Sequence, residues 1–136
     1  MVNLVWRSFY EIGVDFIDED HRQLMTIMDD VVNAAAHNDH KECGKLLDKF
    51  IARAREHFDK EEEYLSNAHY PGLDEHREFH QQLINYADLT KSTCQDLESG
   101  NDLKDCIDNM AKLIFDDIFR GDIKFKSYLQ YNGYID

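Results

Sequence analysis

Residues 56–80 read EHFDKEEEYLSNAHYPGLDEHREFH and hold four of the chain's seven histidines. The turn signal SNAHYPG, residues 66–72, divides the stretch into the end of one helix and the start of the next. Upstream, His57, Glu61 and Leu65 continue a stripe of Cys43, Leu47, Phe50 and Ala54 at steps of three and four. Downstream, Leu73, His76, His80, Leu83, Ala87, Thr90, Cys94 and Leu97 keep the same period. Imidazole and carboxylate groups thus occupy the seam of two helices, where apolar side chains are expected. Buried polar groups need partners, so the question is what these residues bind.

Working outward, the spacing predicts four helices. Helix 1 is expected from an Asp18 N-cap to about His37, with Leu24, Met25, Met28, Val32 and Ala35 on its apolar side and His21 one turn earlier. Helix 2 is expected over His40–Ser66. Helix 3 is expected from Pro71, a favourable first helical residue, to about Ser99. SGND, residues 99–102, separates it from helix 4, whose stripe is Leu103, Ile107, Met110, Ile114 and Asp117. Residues 1–17 form an aromatic-rich arm with Trp6, Phe9, Tyr10 and Phe16. The expectation is an all-α, antiparallel up-down-up-down four-helix bundle forming one domain over residues 1–136.

Antiparallel connectivity puts the start of helix 1, the end of helix 2, the start of helix 3 and the end of helix 4 at one level. His21, His57, Glu61, His76, His80, Asp117 and Asp122 all fall there. His37, His40 and His69 lie near turns and are expected to be solvated. Seven converging donors exceed one tetrahedral zinc site. The absence of thiolate among them argues against structural zinc or iron–sulfur, and calcium or magnesium would want mostly oxygen. Mixed imidazole and carboxylate donors on a helical bundle suit two iron ions, with manganese second.

Composition narrows the partners. The formal charge is −13, from 28 acidic and 15 basic residues. Such a surface repels nucleic acid and anionic membranes, and no apolar run is long enough to span a bilayer. The N-terminal MVNLVWRSFYEIG lacks the features of a signal peptide. Cys43, Cys94 and Cys106 are widely spaced without a CxxC, and they read as reduced thiols of a cytoplasmic protein. Cys43 and Cys94 fall on apolar stripes as small core residues.

GVDFIDEDHRQL, HFDKEEEYL, YPGLDEHREFH and IFRGD, taken together, resemble bacterial haemerythrin domains over nearly the whole chain. The resemblance implies a non-haem di-iron centre that binds O2 at one iron. His21 and His57 would hold the iron with the open site, and His76 and His80 the other. Glu61 and Asp122 would bridge the two, with an oxo or hydroxo group. Phe58 and Ile118 would line the approach for O2 or small anions such as azide. The family places a histidine five residues before the bridging aspartate; this chain has Asp117 there, and Leu113 where a tryptophan is common. A third anionic donor favours ferric iron, so ready autoxidation is expected. The implied function is O2 binding or oxygen and redox sensing, with fusion to a signalling output domain in a longer protein as one setting. The alternative is a di-iron enzyme that reduces O2 or peroxide, or oxidises ferrous iron.

Overall fold

The computed structural model describes Trp6, residues 8–95 and residues 100–136, except for the side chains of Phe9, Gln95, Asn101, Asp102 and Asp117. A short 3-10 turn at Ser8–Tyr10 precedes α1 (Asp15–Ala36), α2 (His40–Asn67), α3 (Leu73–Gln95) and α4 (Gly100–Tyr131). The described residues contain no strand. The helices pack in a ring in which α1 touches α2 and α4, and α3 touches α2 and α4. This is the expected antiparallel four-helix bundle. None of the described helices is long and apolar enough to cross a membrane.

The connections are short because the helix ends supply their own closures. Asp39 caps α2 by accepting the Glu42 N–H at 3.1 Å. Asn38 and His69 take left-handed backbone conformations, with φ of 56° and 57°, and reverse the chain after α1 and α2. Gly13, at φ 98°, lets the arm turn into α1 beside Ile135.

Two helix starts differ from the expectations. α1 begins one turn before Asp18, after an N-cap at Val14 that makes no side-chain cap bond. Asp18 instead accepts N–H bonds from Ile12 at 2.8 Å and Gly13 at 3.1 Å, tying the arm to the helix. Its carboxylate serves backbone donors in a non-helical segment, a use that local periodicity does not reveal. Pro71 and Gly72 belong to the turn, and α3 starts at Leu73.

The cysteine expectation is corrected more strongly. Cys94 and Cys106 form a disulfide across the α3–α4 connection, with 6.4 Å between their Cα atoms, while Cys43 is free and buried. Antiparallel packing brings two residues twelve apart in the chain opposite each other, which their separate helical stripes could not show. Closing so short a loop contributes roughly 3 kcal/mol. Burial, with the charge of Asp39 second, pushes the Cys43 thiol up to about 11. Titration of the native, unreduced chain at pH 8 should therefore find essentially no reactive thiol. Denaturation should release one, and reduction three.

The apolar core is split. The larger cluster includes Leu24, Met28, Leu47, Phe50, Leu83, Ile107, Ile114 and Ile118, with Trp6 and Tyr10 of the arm packed against it. The smaller joins Ile12, Ile17, Leu65, Ala68, Phe125 and Leu129. Along each helix, the layer between the two clusters is polar.

Candidate metal centre

That layer sits between Ile17 and Leu24 on α1, Ala54 and Leu65 on α2, Leu73 and Leu83 on α3, and Phe119 and Phe125 on α4. Its members are His21, His57, Glu61, His76, His80 and Asp122, all buried. Each projects inward because it continues its helix's apolar stripe.

Glu61 is the hub. Its Oε1 lies 2.7 Å from His76 Nε2 and 3.0 Å from His80 Nε2. Its Oε2 lies 3.0 Å from His57 Nε2 and 3.8 Å from His21 Nε2. Asp122 faces it from α4, with Oδ2 3.0 Å from His21 Nε2 and Oδ1 3.6 Å from His76 Nε2. The donors fall into two groups that share Glu61: His21, His57 and Glu61; and Glu61, His76, His80 and Asp122. Within each group the ligand atoms lie within 4.8 Å of one another.

Several of these atoms have no hydrogen-bond partner although fully buried. They are both ring nitrogens of His21, Nε2 of His57, Oε2 of Glu61 and Oδ2 of Asp122. Unpaired polar atoms are costly in an apolar surround. Apart from His21 Nδ1, these orphans are the atoms that meet at the middle of the layer. Cations placed among them would satisfy them together, so the donor set fits a metal centre.

Without metal, protons do part of that work. Burial raises the Glu61 carboxyl, but the imidazoles of His57, His76 and His80 set against its oxygens outweigh it and hold the group well below its ordinary range. Burial raises Asp122, and the Glu61 charge adds to the rise.

Two residues that the seam pattern did not single out complete the surround. His57 Nδ1 lies 2.9 Å from Asp20 Oδ2, and His80 Nδ1 lies 2.8 Å from Glu62 Oε2. A carboxylate accepting the Nδ1–H of each ring leaves its Nε2 lone pair aimed at the centre. Asp20 is itself bonded by Arg53 and lies 3.0 Å from Lys60, and Arg77 lies 3.4 Å from Glu62. The available signal was weak: Asp20 lies four residues before Leu24 on the apolar side of α1, and Glu62 four after Phe58. Asp20→Ala should weaken metal binding by about 10- to 100-fold, read by chelator competition.

Of the remaining expected site residues, Phe58 stacks on His80, with ring centroids 3.8 Å apart, and Ile118 packs into the larger apolar cluster. His37 and His69 are exposed and His40 is half-buried; none joins the centre's donor groups. Leu113 is 49% exposed. Asp117 sits on α4, and its side chain lies outside the described residues.

A four-helix bundle enclosing a histidine–carboxylate layer defines a class of helical metal-binding protein. Residues 12–129 match the Hemerythrin HHE cation binding domain, and the chain belongs to that family, whose members bind non-haem iron and O2. It is 28% identical over 123 residues to a bacteriohemerythrin of Stenotrophomonas maltophilia, covering 90% of this chain and 78% of the relative. A myohemerythrin of Theromyzon tessulatum is 27% identical over 79 residues, covering 58% of this chain and 61% of the relative. A bacteriohemerythrin of Pseudomonas aeruginosa is 23% identical over 84 residues, covering 62% of this chain and 55% of the relative.

Proposed function

We propose that this chain holds two non-haem iron ions and binds O2 or a small anion at one of them, as an oxygen-binding or oxygen- and redox-responsive domain. The supporting observation is the buried layer of four histidines and two carboxylates whose orphaned atoms meet at one place. His21 and His57 would hold one iron, and His76 and His80 the other. Glu61, which belongs to both donor groups, and Asp122 would link them. Iron supplies redox chemistry with O2 that the side chains lack. The bundle's part is to hold the donors in register, orient His57 and His80 through Asp20 and Glu62, and keep bulk water out with the apolar clusters above and below. Phe58 and Ile118 would line the ligand approach.

Asp117 is proposed as a further ligand or a charge close to the irons. A third carboxylate favours ferric iron, so the reduced protein should oxidise quickly in air. The same residue favours a second reading, an enzyme that turns over O2 or peroxide or oxidises ferrous iron. A single domain over residues 1–136, used alone or fused to a signalling output, fits either reading. The cytoplasmic placement expected from reduced thiols loses that support with the Cys94–Cys106 bond.

Elemental analysis after iron-replete expression, followed by optical titration from anaerobic to aerobic conditions, tests the proposal. Two irons per chain and a stoichiometric optical change on admitting O2 are expected. Tightly bound zinc without iron would overturn it, and sustained O2 consumption with a reductant would favour the enzyme.

A further inference from the structure

On its His21 side, the histidine layer is joined to the arm by a short series of aromatic rings. Phe119 lies edge-on to His21, with ring centroids 5.8 Å apart. Tyr10 of the arm stacks on Phe119, with centroids 3.8 Å apart and planes 2° from parallel. Trp6 meets both rings edge-on, 5.7 Å from Tyr10 and 6.3 Å from Phe119. Phe119 is buried, Tyr10 and Trp6 are half-buried, and Ser8 and Glu11 of the same arm are exposed. Two ring contacts therefore connect a layer imidazole with a half-buried phenol. Packing alone would be served by any bulky apolar side chain at position 10; tyrosine adds an O–H that can be oxidised.

The arm is held in this position. Lys126 Nζ donates to the Glu11 carbonyl at 2.6 Å, and Asp18 accepts from the Ile12 and Gly13 N–H groups. Of the two outer rings, Trp6 is poorly placed to lose an electron. The Arg22 guanidinium sits over the indole, 4.5 Å from the ring centroid, and opposes positive charge there. Trp6 Nε1 is buried without a hydrogen-bond partner, so its proton has no acceptor at hand.

Other rings touch the layer on less suitable paths. Phe58 stacks on His80 but is itself only 4% exposed. Phe125 meets His76 edge-on at 5.3 Å and Tyr70 edge-on at 6.3 Å, and Tyr70 is tilted against Tyr128 at 5.3 Å. Tyr128 donates its O–H to the carbonyls of Ala68 and His69, at 2.8 and 3.0 Å, so its phenolic proton is held by groups that are not bases. That path begins with two edge contacts and leads from His76, whereas the Tyr10 path leads from His21, a ligand of the iron proposed to stay open.

We propose that Tyr10 is an electron relay for the centre, coupled to His21 through Phe119, and that small phenols are oxidised at the arm as its electron donors. The proposal rests on the di-iron reading and deepens its peroxide-reducing form. Iron, when bound, supplies the reduction of hydrogen peroxide to two waters, which breaks the O–O bond and consumes two electrons and two protons. Tyr10 provides those electrons one at a time through the stacked rings. Each time, its O–H proton passes to solvent and a neutral phenoxyl radical is left on Tyr10. A phenol at the arm then returns one electron and one proton. Per peroxide, two phenols each lose one electron and one proton, and the irons begin and end ferric. Phe119 is a positioning residue that holds the Tyr10 ring against the layer.

The test is freeze-quench electron paramagnetic resonance of the diferric protein turning over hydrogen peroxide with guaiacol, with iron content measured for every sample. A tyrosyl radical should build up in the parent, identified by ring-deuterated tyrosine. Tyr10→Phe, which keeps the ring and its stack, should lose that radical, and guaiacol oxidation should fall to the rate without protein. The optical change on adding peroxide should persist in the same variant, a split that a merely structural role would not give. Phe119→Leu should lose the radical while keeping Tyr10. Tyr131→Phe, at a position 92% exposed, should match the parent. A radical kept in iron-loaded Tyr10→Phe, a radical lost instead in Tyr70→Phe, or an iron-loaded parent without one would overturn the relay and leave the di-iron reading intact. A parent protein without iron would overturn both.

Discussion

Glu61→Leu should strip the protein of essentially all tightly bound iron. Glu61 is 0% exposed and is the one residue common to both donor groups, with all four histidine Nε2 atoms within 3.8 Å of its oxygens. Removing it takes a donor and an anionic charge from both positions at once. Losing an outer partner of a metal ligand costs 10- to 100-fold in affinity, so loss of a shared inner carboxylate should exceed about 100-fold. Leucine is close in size and suits a layer flanked by apolar clusters, so the helices should survive. Iron per chain should fall from about two to near zero while the far-ultraviolet circular dichroism stays helical. Retention of both irons would show that Glu61 does not bridge them. As a comparison, His37, His40 and His69, all outside the layer, are not expected to affect iron content.

The second large effect is a divergence with pH between the metal-free and metal-loaded protein. In the metal-free bundle, burial lowers the proton affinity of His57 and His80, but the closely set, charged carboxylate of Glu61 outweighs it. Asp20 assists at His57 and Glu62 at His80, and both imidazoles end above their ordinary 6.5. A group whose pKa rises on folding stabilises the fold fully below its unfolded value and loses that contribution as pH climbs through the folded value. His57 and His80 therefore contribute in mild acid and fade toward alkaline pH. Glu61 behaves oppositely: held well below 4.5, it contributes above that value and loses the contribution only as pH falls toward its folded one. Asp122, raised from 3.8, opposes folding once it must ionise. The metal-free bundle should be most stable in mild acid and weaken toward pH 8.

Metal reverses the trend, because cations replace the protons the histidines carry, and protons compete less as pH rises. The gap between loaded and metal-free melting midpoints should thus widen from pH 5.5 to pH 8. For a chain this size, each 1 kcal/mol moves the midpoint by roughly 3–6 °C. Thermal melts of both forms across that range read the effect directly. A gap constant with pH would mean that metal and protons do not share these side chains.

Most of the fold and the core of the centre were legible in the sequence for a local reason. Helical period fixes which residues share a face, so His57, Glu61, His76 and His80 declared themselves by standing where Ala54, Leu65, Leu73 and Leu83 set the phase. Short connections force antiparallel neighbours, and that alone brought His21 and Asp122 to the same level. What lay beyond local period depended on how the helices turn toward one another. Asp20 and Glu62 are off-seam acids in the sequence. Only the α1–α2 and α2–α3 contacts place them on the outer nitrogens of His57 and His80. Cys94 and Cys106 meet because two antiparallel helices face each other where α3 ends and α4 begins. Asp18 is a helical residue whose carboxylate serves the arm, because the arm folds back over its own helix start. The Phe79 ring lies against α4 because Gly121 omits the Cβ that would meet it, a contact between α3 and α4 that neither helix encodes alone. Face and level follow from backbone geometry one helix at a time, whereas partner, contact and cross-link follow from packing between helices.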